Sequence, residues 1–576
     1  MSPSVVGFYS AQNFLDRFLP LPNDIPPSSV PSVDFSNVPI TRHKADSYGP
    51  LVDAINNSGI FPGFRMQTRS HHKWPSHQPE LGGYRKFEDG KTRVPVLEIP
   101  WEVNTAQKDQ YCNEISTTSG LDDSEETTDT TAARNCEQIW SYFAHQMSAY
   151  PRLFVFGIFI YGDRARILRV DRAGATATTS FYYKEEDFLA QFLYRYSQVT
   201  DIQRGWDPTA ALTSSSEAEQ LTHALREYKA RLASRDVSYL NPTLNQDFPT
   251  YRMTVDAKTL DNEDIQFDLI VCYPFSASKS LFGRCTRGYA AYYVQEERLV
   301  FLKDCWRVDD KTTLSEIDIY RILFAQKSKD LNLPDIVAMG DVIVDDKVQT
   351  TVTQELTREH KPGMLPCHEL IRLVHMRIVE ELAIPLDSAL NSREAVEAIH
   401  DAAVCILDVY ELHVFHRDIS VRNIMIRDST NPASLRYQHA RSTGILNDWD
   451  HAIKFSPRPI THEYRTGTWA FMSIKHLRYP QSPHEVHDDL ESILWVLVFI
   501  ALHRFKQNDS ANFNLDFFSE LRYQIISDRR SLPIGGDMKV GVLQKRLLSK
   551  IGFMSHPVIT LLKSLMVEPS YTCTGR

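Results

Sequence analysis

Between His416 and Asn423 the chain reads His416-Arg417-Asp418-Ile419-Ser420-Val421-Arg422-Asn423, a carboxylate beside basic residues with an amide five positions on. Further along, the apolar Ile445-Leu446 leads through Asn447 into Asp448, followed by Trp449 and Asp450. Upstream, the apolar run Leu299-Val300-Phe301-Leu302 ends in Lys303. A helix start at Leu314-Ser315 then opens on Glu316, with Asp318 as the alternative carboxylate. Before these, Gly283-Arg284-Cys285-Thr286-Arg287-Gly288 spaces two glycines as a phosphate-covering turn does, with Cys285 in the middle glycine's place. A carboxylate base, oxygen donors for a hard cation, a lysine and a glycine turn are the side-chain types that phosphoryl transfer uses. Each piece alone has a plainer reading. A glycine pair is a turn, a lysine after an apolar run is a solvated strand end, and a lone aspartate is a cap or turn residue. Their order along one chain gives them weight together.

That order resembles the catalytic core of protein kinases. The resemblance implies that Asp418 orients the attacking hydroxyl and that Asn423 and Asp448 hold magnesium. It implies that Lys303, paired with Glu316, holds the α- and β-phosphates of ATP beneath the loop of Gly283 and Gly288. Glu381, in the segment Val379–Leu382, would lie by the adenine. Ser420 stands where Ser/Thr kinases carry a lysine, and Arg422 is expected to reach the transferring phosphate instead, completing the catalytic set of Asp418, Lys303 and Arg422. Thr466-Gly467-Thr468-Trp469-Ala470-Phe471-Met472-Ser473 resembles the end of an activation segment, with Thr468 bonded to the catalytic aspartate. Ile474-Lys475 replaces the usual Pro-Glu there, which calls for a different anchor. Asp489, in Asp488-Asp489-Leu490-Glu491-Ser492, is expected to cap a buried helix and hold the backbone of the catalytic loop. Cys285 is expected to hold its loop slightly off the phosphates, because a Cβ limits close approach. Ser456, Thr461, Tyr464 and Thr466 are candidate phosphorylation sites, and the polar excess Asp428–Thr443 reads as an extended loop.

Taken together these residues resemble the fungal-type protein kinase family. The resemblance lies in H-R-D-I-S-x-x-N, in Phe282–Arg287, in L-K-D-x-W-R at Leu302–Arg307 and in G-T-W-x-F-M-S-I. It extends into the N-terminal half through Arg172-Ala173-Gly174 and Arg204-Gly205-Trp206-Asp207-Pro208-Thr209. The fold class it implies is α+β, a bilobal protein-kinase-like fold preceded by a separate α/β N-terminal domain. The expected divisions are a partly disordered arm at 1–45, an α/β module at 46–240 with a disordered acidic insertion at 111–134, a kinase N-lobe and hinge at 245–382, and a C-lobe at 383–576. The implied activity is ATP- and magnesium-dependent phosphorylation of protein hydroxyls, Ser or Thr ahead of Tyr. A catalytically weak pseudokinase acting as an ATP-binding scaffold is the alternative. A small-molecule phosphotransferase is disfavoured by the activation-segment motif.

Composition sets the outer bounds. A chain of 576 residues exceeds the roughly 250–300 of a kinase core, so further structure is expected. A net charge of -10 argues against a general nucleic-acid binder. The eight cysteines show no C-x-x-C spacing, so they signal neither a zinc site nor a disulfide framework. No secretory or membrane-spanning segment is evident, and the cytoplasm is the default location, with the nucleus possible. In the N-terminal half, Phe154–Tyr161 reads as a buried strand, and Tyr48–Ile55 and Phe188–Tyr196 read as helices. Pro79-Glu80 followed by Glu98-Ile99-Pro100 resembles the metal-binding core of restriction-endonuclease-like folds, but with Pro where the lysine belongs. A packing module that docks protein partners is the preferred reading of this half.

Overall fold

The run Phe154–Tyr161 alternates two apolar sets, Phe156, Ile158 and Ile160 against Val155, Phe159 and Tyr161, so both of its faces must be covered. It lies in the middle of a mixed eight-stranded sheet. The computed structural model describes residues 5–544 apart from 23–25, 27–29, 41–42, 69–78, 87–95, 105–129, 245–247, 311–312, 326–330, 357–369, 429–442, 456–464, 506–517 and 528–529. The first sheet comprises β1 (Val5–Tyr9), β2 (Phe64–Thr68), β3 (Leu81–Arg85), β4 (Leu97–Asn104), β5 (Phe154–Tyr161), β6 (Arg164–Asp171), β7 (Ala175–Thr178) and β8 (Phe181–Tyr182). Its order is β1-β7-β6-β5-β4-β3-β2, with β8 beside β6. The parallel pair β4–β5 needs a crossover, which α3 (Thr130–Ala149) supplies. Helix α3 packs Ile139, Tyr142, Phe143 and Met147 on one face of the sheet. Helices α1 (Ala11–Phe18), α2 (Ala45–Ser58) and α4 (Phe188–Gln198) cover the other, through Phe14, Leu15, Leu51, Ile55, Phe192 and Tyr196.

Two expected divisions change. Within 1–45, expected as a partly disordered arm, β1 pairs in parallel with β7 and α1 buries Phe14 and Leu15 completely. The range 111–134 lies outside the described residues up to 129, and its last five positions are the first turn and more of α3.

The second sheet is antiparallel throughout. Its strands are β9 (Ala210–Leu212), β10 (Tyr251–Lys258), β11 (Asp264–Val271), β12 (Ser276–Ala277), β13 (Arg287–Tyr293), β14 (Arg298–Val308), β15 (Ile336–Asp341) and β16 (Leu373–Glu381). The order is β11-β10-β15-β16-β14-β13-β12, and an extra β11–β13 pairing closes it on itself. Helix α5 (Ser215–Arg231) starts in a capping box between Ser214 and Glu217 and buries Leu221, Leu225 and Tyr228 in the core of this sheet. Residues 210–231, expected within the N-terminal module, therefore pack with the second sheet. The same core continues into α7 (Ser392–Glu411) and α8 (Val486–Arg504). A small sheet of Ile384–Pro385, Ile424–Ile426 and Gly444–Leu446 packs on α7, and its middle strand follows the His416–Asn423 loop. Among the described residues no helix is long and apolar enough to cross a membrane.

The two large sheets meet through buried charge. Asp304 accepts from Arg287 (2.7 Å) and Arg377 (3.1 Å), and His375 Nε2 lies 3.1 Å away. Arg377 also donates to Asp207 (2.7 Å), and Arg287 donates to the Tyr150 carbonyl (2.7 Å). Asp171 accepts the N–H groups of Val352 and Thr353 (3.0 and 2.9 Å). Gly205 lies at φ 97°, and a Cβ there would stand 2.1 Å from the Phe154 carbonyl oxygen, so Arg204-Gly205-Trp206-Asp207 can turn toward this joint only with glycine. Burial works against the charge of Asp304, yet Arg287 and His375 hold its carboxyl well below the usual range. Removing one member strands the others. Asp304→Ala is expected to lower unfolding free energy by about 3–5 kcal/mol in denaturant titration, and a loss under ~1 kcal/mol would contradict the account.

Candidate active site

Strand β14 divides its side chains between two tasks. Asp304 and Trp306 face the joint, where Trp306 stacks on His375 (4.7 Å, 9°), while Lys303 projects from the opposite face. Lys303 Nζ meets Glu316 (2.7 and 2.9 Å) and Asp448 (2.6 Å). Glu316 is the first residue of α6 (Glu316–Phe324), whose N-terminus is fixed by a Ser315–Asp318 capping box. That box settles the choice between the two carboxylates, since Asp318 caps the helix and Glu316 reaches the lysine. Burial opposes the charge on Lys303, but Asp448 and Glu316 raise its pKa well above the ordinary value. One ammonium serves two carboxylates, Glu316 buried and Asp448 partly exposed. Burial pushes Glu316 up to about 7 against the pull of Lys303, whereas the same ammonium overcomes burial at Asp448 and holds it at about 2.

Asp448 is set by its backbone, a left-handed φ of 63° that a non-glycine residue adopts under constraint. Behind it Trp449 is fully buried, edge-on to His416 (4.6 Å), with its backbone N–H on Glu316 (3.1 Å). Asn447 links Tyr320 of α6 (2.9 Å) to Glu380 of β16 (2.6 Å). Burial raises Glu380 to about 8 even so. Neither Asn447 nor Glu380 was singled out from sequence. A carboxylate inside the apolar run of β16 was the available signal.

The His416–Asn423 loop hangs from α8. Asp489 accepts the backbone N–H groups of His416 and Arg417 (both 3.0 Å), as expected of it. Asp418 accepts both the N–H and the hydroxyl of Thr468 (2.7 Å each), so the G-T-W segment reaches the carboxylate of the His416–Asn423 loop. Gly467 makes that approach possible, for at φ 111° a Cβ would stand 2.5 Å from the Arg417 carbonyl. Asn423 commits its amide nitrogen to the Asp418 carbonyl (2.7 Å) and so offers its oxygen. An ionised Asp448 and the amide oxygen of Asn423 fit a hard divalent cation such as magnesium. Arg422 lies exposed near the end of the loop. Lys475 has its own anchor in Glu485 (2.8 Å) and Asp488 (3.2 Å). Thr466 carries a buried hydroxyl, and Ser456, Thr461 and Tyr464 lie outside the described residues, as does 429–442.

Three expected binding residues are placed differently from expectation. Gly283 donates its N–H to the Arg172 carbonyl of the first sheet (3.0 Å), which takes that amide away from a phosphate. Gly288 lies within β13 opposite Lys303, where a Cβ would press on Phe301 (2.8 Å). Glu381 turns its carboxylate to Arg427 (2.5 Å) and its N–H to Asp335 (2.9 Å), so its side chain is an ion-pair partner and not a free ligand. Between the glycines, Cys285 takes a glycine-like φ of 45° and tucks its Sγ toward the Ser280 carbonyl (3.3 Å). Its Cβ does not fend the loop off, because the side chain is buried within it.

The loop itself is seated on the first sheet. Leu281 is buried among Phe143, Met147 and Val155, and Phe282 packs on Trp140 (6.2 Å). Arg284 then crosses to Asp450, the residue after Trp449, with His451 Nε2 3.4 Å from the guanidinium. The residue before Cys285 and the residue after Trp449 thus form one ion pair. Arg284→Ala and Asp450→Ala are each expected to speed amide hydrogen exchange in residues 281–286, and the double variant to add nothing further. Additive effects would disprove the pairing.

The sheet, helix and loops described here correspond to a known sequence family. A search of curated proteins returned no match. A sequence model of the family described as fungal protein kinase matches residues 102–501, well over half the chain, from β4 of the first sheet to α8. The chain belongs to the fungal protein kinase family.

Proposed function

We propose that this protein is an active kinase that transfers the γ-phosphate of ATP to Ser or Thr hydroxyls of other proteins. The observation that carries the reading is the assembled Lys303–Glu316 pair with Asp448 within reach of the same ammonium. In a kinase both must be in place before transfer. In this reading the second sheet with α6 forms the smaller lobe and α7, α8 and their loops the larger one. The first sheet acts as a packing and docking module for protein partners.

Lys303, oriented by Glu316, would hold the α- and β-phosphates, and the backbone of Val379–Leu382 would meet the adenine. Asp448 and Asn423 would hold magnesium, which supplies charge neutralisation at the β- and γ-phosphates. Asp418 orients the acceptor hydroxyl and takes its proton, and the Thr468 hydroxyl fixes the carboxylate for that task. Arg422, exposed at the loop's end, is available to the transferring phosphate. Positioning and electrostatics suffice, because the transition state is loose and needs little covalent help. The nuclease-like reading of the first sheet is not supported by its carboxylates. Glu98 is enclosed by Arg85 (2.7 Å), Arg152 (2.6 Å), Tyr196 (2.8 Å) and Trp206 (3.1 Å), while Glu80 pairs elsewhere with Tyr48 and Lys44.

The test is transfer from labelled ATP to a generic protein acceptor. Asp418→Asn and Lys303→Met are each expected to reduce label by at least about 100-fold while leaving the far-ultraviolet circular dichroism unchanged. Absence of transfer in the parent, with an ATP-dependent thermal shift that Lys303→Met removes, would replace this reading with that of a nucleotide-binding scaffold.

A further inference from the structure

The anchor around Lys475 contains more than an ion pair. His476, in the short helix Ile474–Arg478, is 7% exposed, and neither ring nitrogen makes an aligned hydrogen bond. Its ring stacks on His484 (5.0 Å, 20°), and its Nε2 lies 3.2 Å from Asp488 Oδ2. The donor atoms of His476, His484 and Asp488 all lie within 4.8 Å of one another. Nε2 thus faces a carboxylate, while the buried Nδ1 has no hydrogen-bond partner, which is costly unless something else binds it.

The surroundings are those of a metal site. His484 Nε2 lies 3.0 Å from Asp489 Oδ1, a carboxylate–imidazole contact that fixes the ring and leaves Nδ1 as a donor. Asp488 Oδ1 accepts the Ser473 hydroxyl (2.6 Å) and Oδ2 the Glu485 N–H (2.9 Å), which orients the carboxylate with Oδ2 3.2 Å from His476 Nε2. A cation already stands at this carboxylate, since Lys475 Nζ is 3.2 Å from Asp488 Oδ2 and 2.8 Å from Glu485. Lys475 is partly exposed, at 32% of its side chain, and can swing outward, which would free Glu485 as well.

We propose that His476, His484 and Asp488 bind one first-row divalent cation of the zinc class, which takes the place of the Lys475 ammonium. Two imidazoles and a carboxylate suit zinc, cobalt or nickel rather than magnesium. Zinc holds such donors at about 2.0–2.2 Å, so the three draw together by small side-chain rotations. The fourth position falls to water or Glu485. The ion would tie the end of the G-T-W segment to the start of α8. It would also brace Asp489, and through it the backbone of His416 and Arg417.

The experiment uses the full chain stripped with chelator, titrated with Zn2+ in a calorimeter and with Co2+ by its visible absorption. Parent, His476→Gln and Lys475→Ala are compared, each with excess magnesium present and with folding checked by circular dichroism. The parent is expected to bind one equivalent and to gain thermal stability with it. His476→Gln should bind about 10- to 100-fold more weakly, and Lys475→Ala about tenfold more tightly. No saturable binding by the parent would overturn the proposal. So would equal affinity in His476→Gln, which would assign the ion to other histidines, or unchanged affinity in Lys475→Ala, which would remove the exchange with the ammonium. None of these readouts depends on phosphate transfer.

Discussion

A single carboxylate, Asp304, gathers Arg287, Arg377 and His375 in a space closed to water, and the arrangement of both sheets follows from its needs. A buried aspartate cannot remain charged without such partners, and the partners cannot be buried without it. Arg377 is shared with Asp207 and Arg287 with the Tyr150 carbonyl, so the first sheet supplies part of the neutralisation that the second requires. The strand that carries Asp304 inward carries Lys303 outward. Because alternate residues of a strand face opposite ways, the register that satisfies the joint also fixes the lysine.

At the site the limiting quantity is positive charge. Glu316, Asp448 and Glu380 lie close together, and one ammonium serves the first two. Lys303 lowers the pKa of Asp448, and Glu380 relies on a hydrogen bond from the Asn447 side-chain amide. A divalent cation at Asp448 would relieve this shortage and leave Lys303 to Glu316. The arrangement is thus one that binding of a cation and a polyanion completes.

The local parts of this machine were legible in the chain because each is a contiguous string with its own backbone demands. Thr468 on Asp418 and Asp489 under the catalytic loop both match what the motifs imply. The Ser315-x-x-Asp318 box explains which acid faces Lys303, yet its capping role was not read from the string. What stayed hidden depends on partners distant in sequence. Arg284 and Asp450 are 166 positions apart, and neither alone points to the other. The pairing of β1 with β7 was masked by a Pro- and Ser-rich stretch that follows it. The placement of α5 turned on which of two cores received Leu221 and Leu225, a choice its amphipathic pattern leaves open.

The seat of Leu281 and Gly283 on the first sheet bears on what counts as the unit of inheritance in this fold. A loop that borrows its floor from a neighbouring sheet cannot be exchanged by itself with a free-standing one. Shuffling the catalytic half onto a different N-terminal partner would leave an apolar loop without a bed and Arg172's carbonyl without its amide. The family match starts inside β4 and not at the second sheet, so it takes in this loop together with β5, β6 and the α3 residues that seat it.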